Sequence, residues 1–234
     1  MTASSITIAA TDGGSFSAYV ARPAGGAPAP AIVVIQEIFG VNAVMRGVCD
    51  WLAGEGFVAI CPDLFWRIEP GIDITDQTKA EWDRAFSLFG AFDRAKGIAD
   101  IEATRAVAAG LSGTTGKVGA VGYCLGGHMA YRTAAETPVD ASVGYYGVGI
   151  NEVLNLAPGI RKPLMLHIAE KDGFVPPEAQ AKMAEGLGGN PLVTLHTYAG
   201  QDHAFARIGG AHYDKASADL ANDRTLAFFR QHLV

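Results

Sequence analysis

The sequence predicts an α/β fold, with a doubly wound, mostly parallel sheet flanked by helices, and three observations predict it. From residue 31 onward, short apolar β-like runs alternate with segments of helical spacing, the pattern of strands joined by crossover helices. Residues 31–36 and 163–169 are almost continuously apolar, as strands buried on both faces of a parallel sheet are. Residues 118–128, VGAVGYCLGGH, run from such a strand through a Gly-x-Cys-x-Gly turn into a helix-like segment.

Taken in order, residues 5–10 and 15–21 read as a starting hairpin around Thr11, Asp12, Gly13 and Gly14. A Pro/Gly/Ala connector over 22–30 is short enough for a loop. The strand at 31–36 is followed by a helix over 44–52 and a strand over 57–62. The stretch 65–95 breaks the alternation and carries Trp66, Trp82, Phe86, Phe89 and Phe92 among charges. It reads equally as a helical excursion over the sheet's active edge or as an amphipathic segment packed into the core. A helix over 96–109 and a strand over 117–123 lead to Cys124. Beyond it come strands at 141–146 and 163–169, a helix near 177–187, a strand over 192–198 and a final helix over 214–233.

With 234 residues, 49% of them hydrophobic and 18% charged, the chain is long enough for one sizeable core, and a single domain over residues 1–234 is expected. A net charge of −6 without any basic cluster argues against nucleic acid or an anionic membrane surface as partner. Three cysteines, Cys49, Cys61 and Cys124, form no spaced disulfide framework and suit a reducing compartment. The N-terminus lacks the features of a secretory signal, and no apolar run approaches the roughly 20 residues of a membrane helix. A cytoplasmic location is the expectation.

The Gly-x-Cys-x-Gly turn has two readings. One is close helix–strand packing around a buried, inert thiol. The other is a nucleophile elbow, in which Gly122 and Gly126 remove clashing side chains and a helix N-terminus stabilises a thiolate. An elbow predicts an acid and then a histidine downstream, each after a strand. Asp172 follows the run at 163–169, and His203 follows the run at 192–198, so Cys124, Asp172 and His203 become nucleophile, orienting acid and proton shuttle. The oxyanion donors expected for such a site are the amide of Leu125 and, from the loop after the strand at 31–36, the amide of Ile38. Glu37 in that loop is either a salt-bridged structural group, with Arg46 as partner, or a participant in the site.

The remaining polar residues have plainer readings. His128 is a packed helix residue, His167 and His196 belong to strands, and His212 and His232 to exposed positions. Asp202 is placed to cap a turn, and adjacency makes it a poor orienter of the His203 ring. The histidines and cysteines lack zinc-type spacing, so neither a metal nor a cofactor is expected.

QEIFGVN, CPDLF, VGYCLGG, VGYYGVG, KDGFVP and GQDHAFAR, in this order from about Ile6 to the final helix, resemble the dienelactone hydrolase family, carboxymethylenebutenolidases of the α/β-hydrolase fold. The resemblance implies Cys124, Asp172 and His203 as the triad, with Glu37 accepting the thiol proton when substrate binds. It implies a small cyclic enol-lactone bearing a carboxylate as substrate, and a monomer. Arg207 matches one of two arginines that grip the carboxylate in the family. At the other position stands Trp82, with Arg84 two residues on. Losing one partner on a desolvated carboxylate costs about 1 to 3 kcal/mol. Phe39, Phe65, Phe89 and Tyr145 match pocket-wall aromatics, and all four are equally readable as core. The alternative in the same class is a cysteine carboxylesterase for neutral or larger esters. A thiol redox protein has no resolving cysteine near Cys124, and a non-catalytic binding domain has no reason to keep all three triad members.

Overall fold

The computed structural model describes all residues, Met1 to Val234. They gather into two compact units, Met1–Gly119 and Ala120–Val234.

In the first unit, β1 (Thr2–Ala9) and β2 (Ser15–Arg22) form the expected antiparallel hairpin, in register from Thr2↔Arg22 to Ala9↔Ser15. Phe16, Ala18 and Val20 point into the core while Ser15 and Ser17 are exposed, the period-2 pattern of a half-buried strand. β3 (Ala29–Ile35) and β4 (Val58–Pro62) are buried at every residue and pair in parallel, and β4 also pairs antiparallel with β2. The strand order of the unit is therefore β1-β2-β4-β3. The crossover between β3 and β4 is α1 (Ala43–Gly54), started by Asn42, whose side-chain oxygen accepts from the Met45 amide at 3.1 Å.

The irregular stretch after β4 holds one helix, α2 (Lys79–Ala91). Thr78 caps it by accepting from the Glu81 amide, and the Glu81 carboxylate accepts from the Thr78 hydroxyl and the Thr75 amide. In the stretch 65–95 these thirteen residues alone form a helix before α3 (Arg94–Gly110) begins. The start of the stretch is pinned instead by charge: Trp66 Nε1 and Arg67 both donate to the buried Asp100 of α3, and Arg67 also reaches Asp12 in the hairpin turn. Strand β5 (Thr114–Tyr123) begins in this unit and ends in the next.

The second unit continues with α4 (Leu125–Glu136), β6 (Ala141–Tyr145), two short 3₁₀ turns at Ile150–Glu152 and Leu154–Gly159, β7 (Leu164–Ala169), α5 (Pro177–Leu187), β8 (Val193–Tyr198) and α6 (Lys215–Leu233). Strands β6, β7 and β8 are adjacent and parallel, with Ser142↔Leu164 and Leu164↔Val193 in register. Tyr131 of α4, Ile150, Ile160, Leu164, Leu166 and Met183 share one apolar core. The pairing is thus mixed and mostly parallel, with helices against the strands, in the α/β class the sequence predicts. None of the helices is long and apolar enough to cross a membrane.

Candidate active site

The turn between β5 and α4 is built by close backbone approach. A Cβ on Gly122 would lie 1.9 Å from the Gly126 carbonyl oxygen, and one on Gly127 would lie 2.4 Å from the Tyr145 carbonyl oxygen. The first turn of α4 therefore sits directly against the ends of β5 and β6. Between the glycines, Cys124 has φ 55° and ψ −114°, a conformation that non-glycine residues rarely adopt. Its amide donates to the Tyr145 carbonyl at 3.1 Å, and its own carbonyl accepts from Gly127 and His128. Leu125 opens the helix, so its amide is among those left without an intrahelical acceptor.

Asp172 lies three residues past β7 and His203 five past β8, at the carboxyl ends of adjacent parallel strands, where such sheets place ligands. Both are buried. His203 Nδ1 is 2.9 Å from Asp172 Oδ2 and 3.1 Å from Oδ1, and Asp172 Oδ1 also accepts from the Phe174 amide at 2.8 Å. Burial works against a charged imidazole. The charge of Cys124 and hydrogen bonds to Asp172 and Cys124 outweigh it and raise His203 to about 10. Asp172, His203 and Cys124 are brought together here as an acid, a ring nitrogen pair and a thiol in series.

Three non-glycine residues in the chain have positive φ: Cys124, Tyr146 at 38° and Ala204 at 64°. All three belong to this cluster. Cys124 is the thiol, Ala204 follows His203, and the Tyr146 ring lies 5.1 Å from the His203 ring, edge-on. Each such conformation costs roughly 1 to 3 kcal/mol and persists where surrounding contacts over-determine it, which is characteristic of functional sites.

Tyr145, a pocket-wall aromatic by resemblance and equally readable as core, is packed in the core, and the neighbouring Tyr146 faces the site. Tyr145 ends β6 and points toward α6, its hydroxyl 2.7 Å from Thr225 Oγ1 and 3.0 Å from Asn222 Oδ1, its ring stacked on Tyr123. Tyr146 begins the next turn, and the reversal of its φ directs its ring to His203 instead. Phe174 is a second ring against His203, at 4.8 Å, and is half exposed. Its position two residues after Asp172 is the signal that could have found it. Asp202 and His212 are also drawn in. Asp202 Oδ1 accepts from the amides of His203 and Gly173, and His212 Nδ1 is 3.0 Å from the His203 carbonyl oxygen. His128 and His167 are held as packed residues, the first against the Val148 carbonyl, the second between Tyr198 and Thr225.

The candidates in the first unit follow β3 or lie in the 65–95 stretch. Glu37, Ile38 and Phe39 are all buried. Arg46, weighed as the partner of Glu37, donates to the Val41 carbonyl and pairs with Asp73 at 2.8 Å. Phe39 meets Trp82 edge-on at 5.1 Å, and Trp82 Nε1 donates to the Asp76 carbonyl at 2.9 Å. Arg84 pairs with Glu69 near the surface. Phe65 is fully buried against Phe92, and Phe89 is half-buried under the Arg94 guanidinium. In the second unit Arg207 is buried on the turn that begins at Ala204, to whose carbonyl its amide donates at 2.9 Å.

The model of the dienelactone hydrolase family matches residues 16–233. The chain belongs to that family. It is 54% identical over 229 residues to a candidate carboxymethylenebutenolidase of Azospirillum brasilense, covering 97% of this chain and 98% of that protein. It is 44% identical over 223 residues to a carboxymethylenebutenolidase of Pseudomonas putida, covering 95% and 94%. The crystal structure of a candidate dienelactone hydrolase from Klebsiella pneumoniae subsp. pneumoniae superimposes with a TM-score of 0.84 at 28% identity, covering 99% of this chain and all of that one. The fold is that of the α/β-hydrolases. As a dienelactone hydrolase family member, the chain is a hydrolase of ester or lactone bonds.

Proposed function

We propose that the chain opens a carboxylate-bearing dienelactone or related enol-lactone through an acyl-cysteine intermediate, with Cys124 as nucleophile, His203 as proton carrier and Asp172 as its orienting acid. The observation that carries this reading is the strained thiol at a helix N-terminus in series with a buried His–Asp pair. The His203 ring, hydrogen-bonded to both Cys124 and Asp172, is placed to hold the proton that leaves the thiol as it attacks. The thiolate adds to the lactone carbonyl carbon, and the carbonyl electron pair moves to oxygen, where the Leu125 and Ile38 amides are the proposed donors. Collapse of this oxyanion expels the ring oxygen, which takes the proton from His203. Acylation removes the negative charge of Cys124 that had lifted His203, so the now neutral imidazole becomes a competent base for the deacylating water. Thiolate departure then restores the ion pair.

Glu37 as an alternative acceptor of the thiol proton, and Arg207 as the grip on the substrate carboxylate, are carried in this reading by motif and family. Their burial agrees with roles beyond solvation. The match of one family model across both units supports a single catalytic domain over residues 1–234. A cytoplasmic, monomeric enzyme without cofactor, acting on a small molecule rather than on nucleic acid or a membrane, completes the proposal.

One observation favours a second reading, a carboxylesterase for neutral or larger esters: Arg84, two residues from the Trp82 that the resemblance sets at an arginine position of the family, already has Glu69 as partner. The two separate on kcat/KM at pH 7 for a carboxylate-bearing dienelactone against a neutral phenyl ester of similar size. A dienelactone preference of about tenfold or more is expected if the anion site is formed. A preference for the neutral ester would move the protein to the second reading. Cys124→Ala should abolish turnover of both while leaving the protein folded, and retained turnover would refute the nucleophile.

A further inference from the structure

The acid loop after β7 and the histidine loop after β8 are tied together rung by rung. The Glu170 amide donates to the Tyr198 carbonyl at 3.1 Å, and the Gly200 amide returns to the Glu170 carboxylate at 2.7 Å. The Lys171 amide donates to the Gln201 carbonyl at 2.8 Å. The next rung is made by a side chain: Asp202 Oδ1 accepts from the Gly173 amide at 3.1 Å and from the His203 amide at 2.6 Å. The last rung is the His203–Asp172 contact itself, at 2.9 Å.

Asp202 thus spans the two residues whose relative position sets the last rung. One oxygen holds the backbone of the histidine and the backbone of the residue following the acid. Its other oxygen lies 3.8 Å from His212 Nε2, and His212 Nδ1 is 3.0 Å from the His203 carbonyl oxygen. The His203 peptide is therefore gripped at its amide by Asp202 and at its carbonyl by His212. The Asp202 side chain points along the backbone rather than at the ring. That is how a residue adjacent to the histidine orients it without touching the imidazole.

We propose that Asp202 is a positioning residue for the hydrolytic reaction, fixing the separation of Asp172 and His203 by accepting both loop amides on one carboxylate oxygen. The inference rests on the reading of Asp172 and His203 as orienting acid and proton carrier. Ionisation of Asp202 suits the role. Burial opposes its charge, but amide donation from His203 and Gly173, with the nearby His212, holds its carboxyl below the usual range. A shift of the order of 1 Å in such a pair costs up to about a hundredfold in rate.

The test compares Asp202→Ala with Asp202→Asn, using 4-nitrophenyl acetate turnover, amide exchange at Gly173 and His203, and the downfield proton resonance of the His203 Nδ1–H. Asp202→Ala should lower kcat by about tenfold to a hundredfold with KM changed less than twofold. The downfield resonance should weaken and both amides should exchange faster. Asp202→Asn keeps an acceptor oxygen in the same place and should recover most of kcat and the resonance. Parent-like kcat and resonance in Asp202→Ala, or an Asp202→Asn variant as slow as Asp202→Ala, would overturn the proposal. Amide protection is also read on the parent protein, so a variant that does not fold leaves the question answerable. Protected Gly173 and His203 amides are expected, and free exchange of both would overturn it. If His203→Ala retained full turnover, the reading of the triad would fail, whereas a parent-like Asp202→Ala with an inactive His203→Ala would overturn the positioning role of Asp202 alone.

Discussion

Around His203, the orienting polar groups are fixed by backbone on both sides: two loops cross-tied by amide hydrogen bonds, a glycine-packed helix start, and three positive-φ residues in one cluster. The stretch 65–95 of the first unit is organised in the opposite way. Its helix α2 buries only Ala85 and Leu88, and its candidates act through side chains: Trp82 on a turn carbonyl, Arg84 on Glu69, Phe89 under Arg94. The first region can change little without losing its geometry. The outer face of α2 can exchange side chains while its backbone stays, because few of its contacts are buried.

The hardest way to strain that contrast is Gly122→Ala. The added Cβ meets backbone atoms of Gly126 at 1.9 to 3.0 Å, and neither strand nor helix yields as a side chain would. Destabilisation of about 3 kcal/mol or more is expected, or a fall in Tm of roughly 6 to 12 °C for a chain of this size. A parent-like Tm would show that the elbow is far more compliant than its packing indicates.

A smaller effect follows from charge. His203 is raised from the ordinary histidine value to about 10, so its protonated form contributes stability that is fully present below about pH 6.5 and is lost as pH rises through about 10. Cys124→Ala removes the largest upward cause, and the ring should then titrate at lower pH. NMR titration of His203 in the parent and the variant reads this directly, and coincident curves would remove Cys124 from the electrostatics of the site.

The smallest effect belongs to the 65–95 stretch. Arg84→Gln should shift stability by less than about 1 kcal/mol, since its pair with Glu69 is partly exposed. It should leave KM for an anionic dienelactone within about twofold, less than the loss of any direct charged hydrogen bond would cost. A rise in KM of tenfold or more for the anionic substrate alone would instead make Arg84 part of the anion site, and would bring the stretch closer in rigidity to the histidine loops.

What the sequence could determine is set by how local each feature is. Strands β3 and β7 were legible as apolar runs, and the elbow as a five-residue motif, because burial on both faces and a tight turn each constrain a short window of residues. The placement of Cys124, Asp172 and His203 beyond the ends of β5, β7 and β8 was legible for the same reason. Helix α2 was blurred, since its aromatic residues serve contacts that only folding assigns. Tyr145 and Tyr146 were not separable from sequence: adjacent and identical, they differ in the sign of φ, which the turn after β6 imposes. Asp202 read as a turn cap and a poor orienter. The cap is there, but its importance comes from Gly173, 29 residues away in the chain, whose amide shares the same oxygen. Local pattern fixes which residue types stand at strand ends, whereas the pairing of two loops across neighbouring strands is a tertiary fact, decided by which carbonyls and carboxylates the packed sheet leaves within reach of each amide.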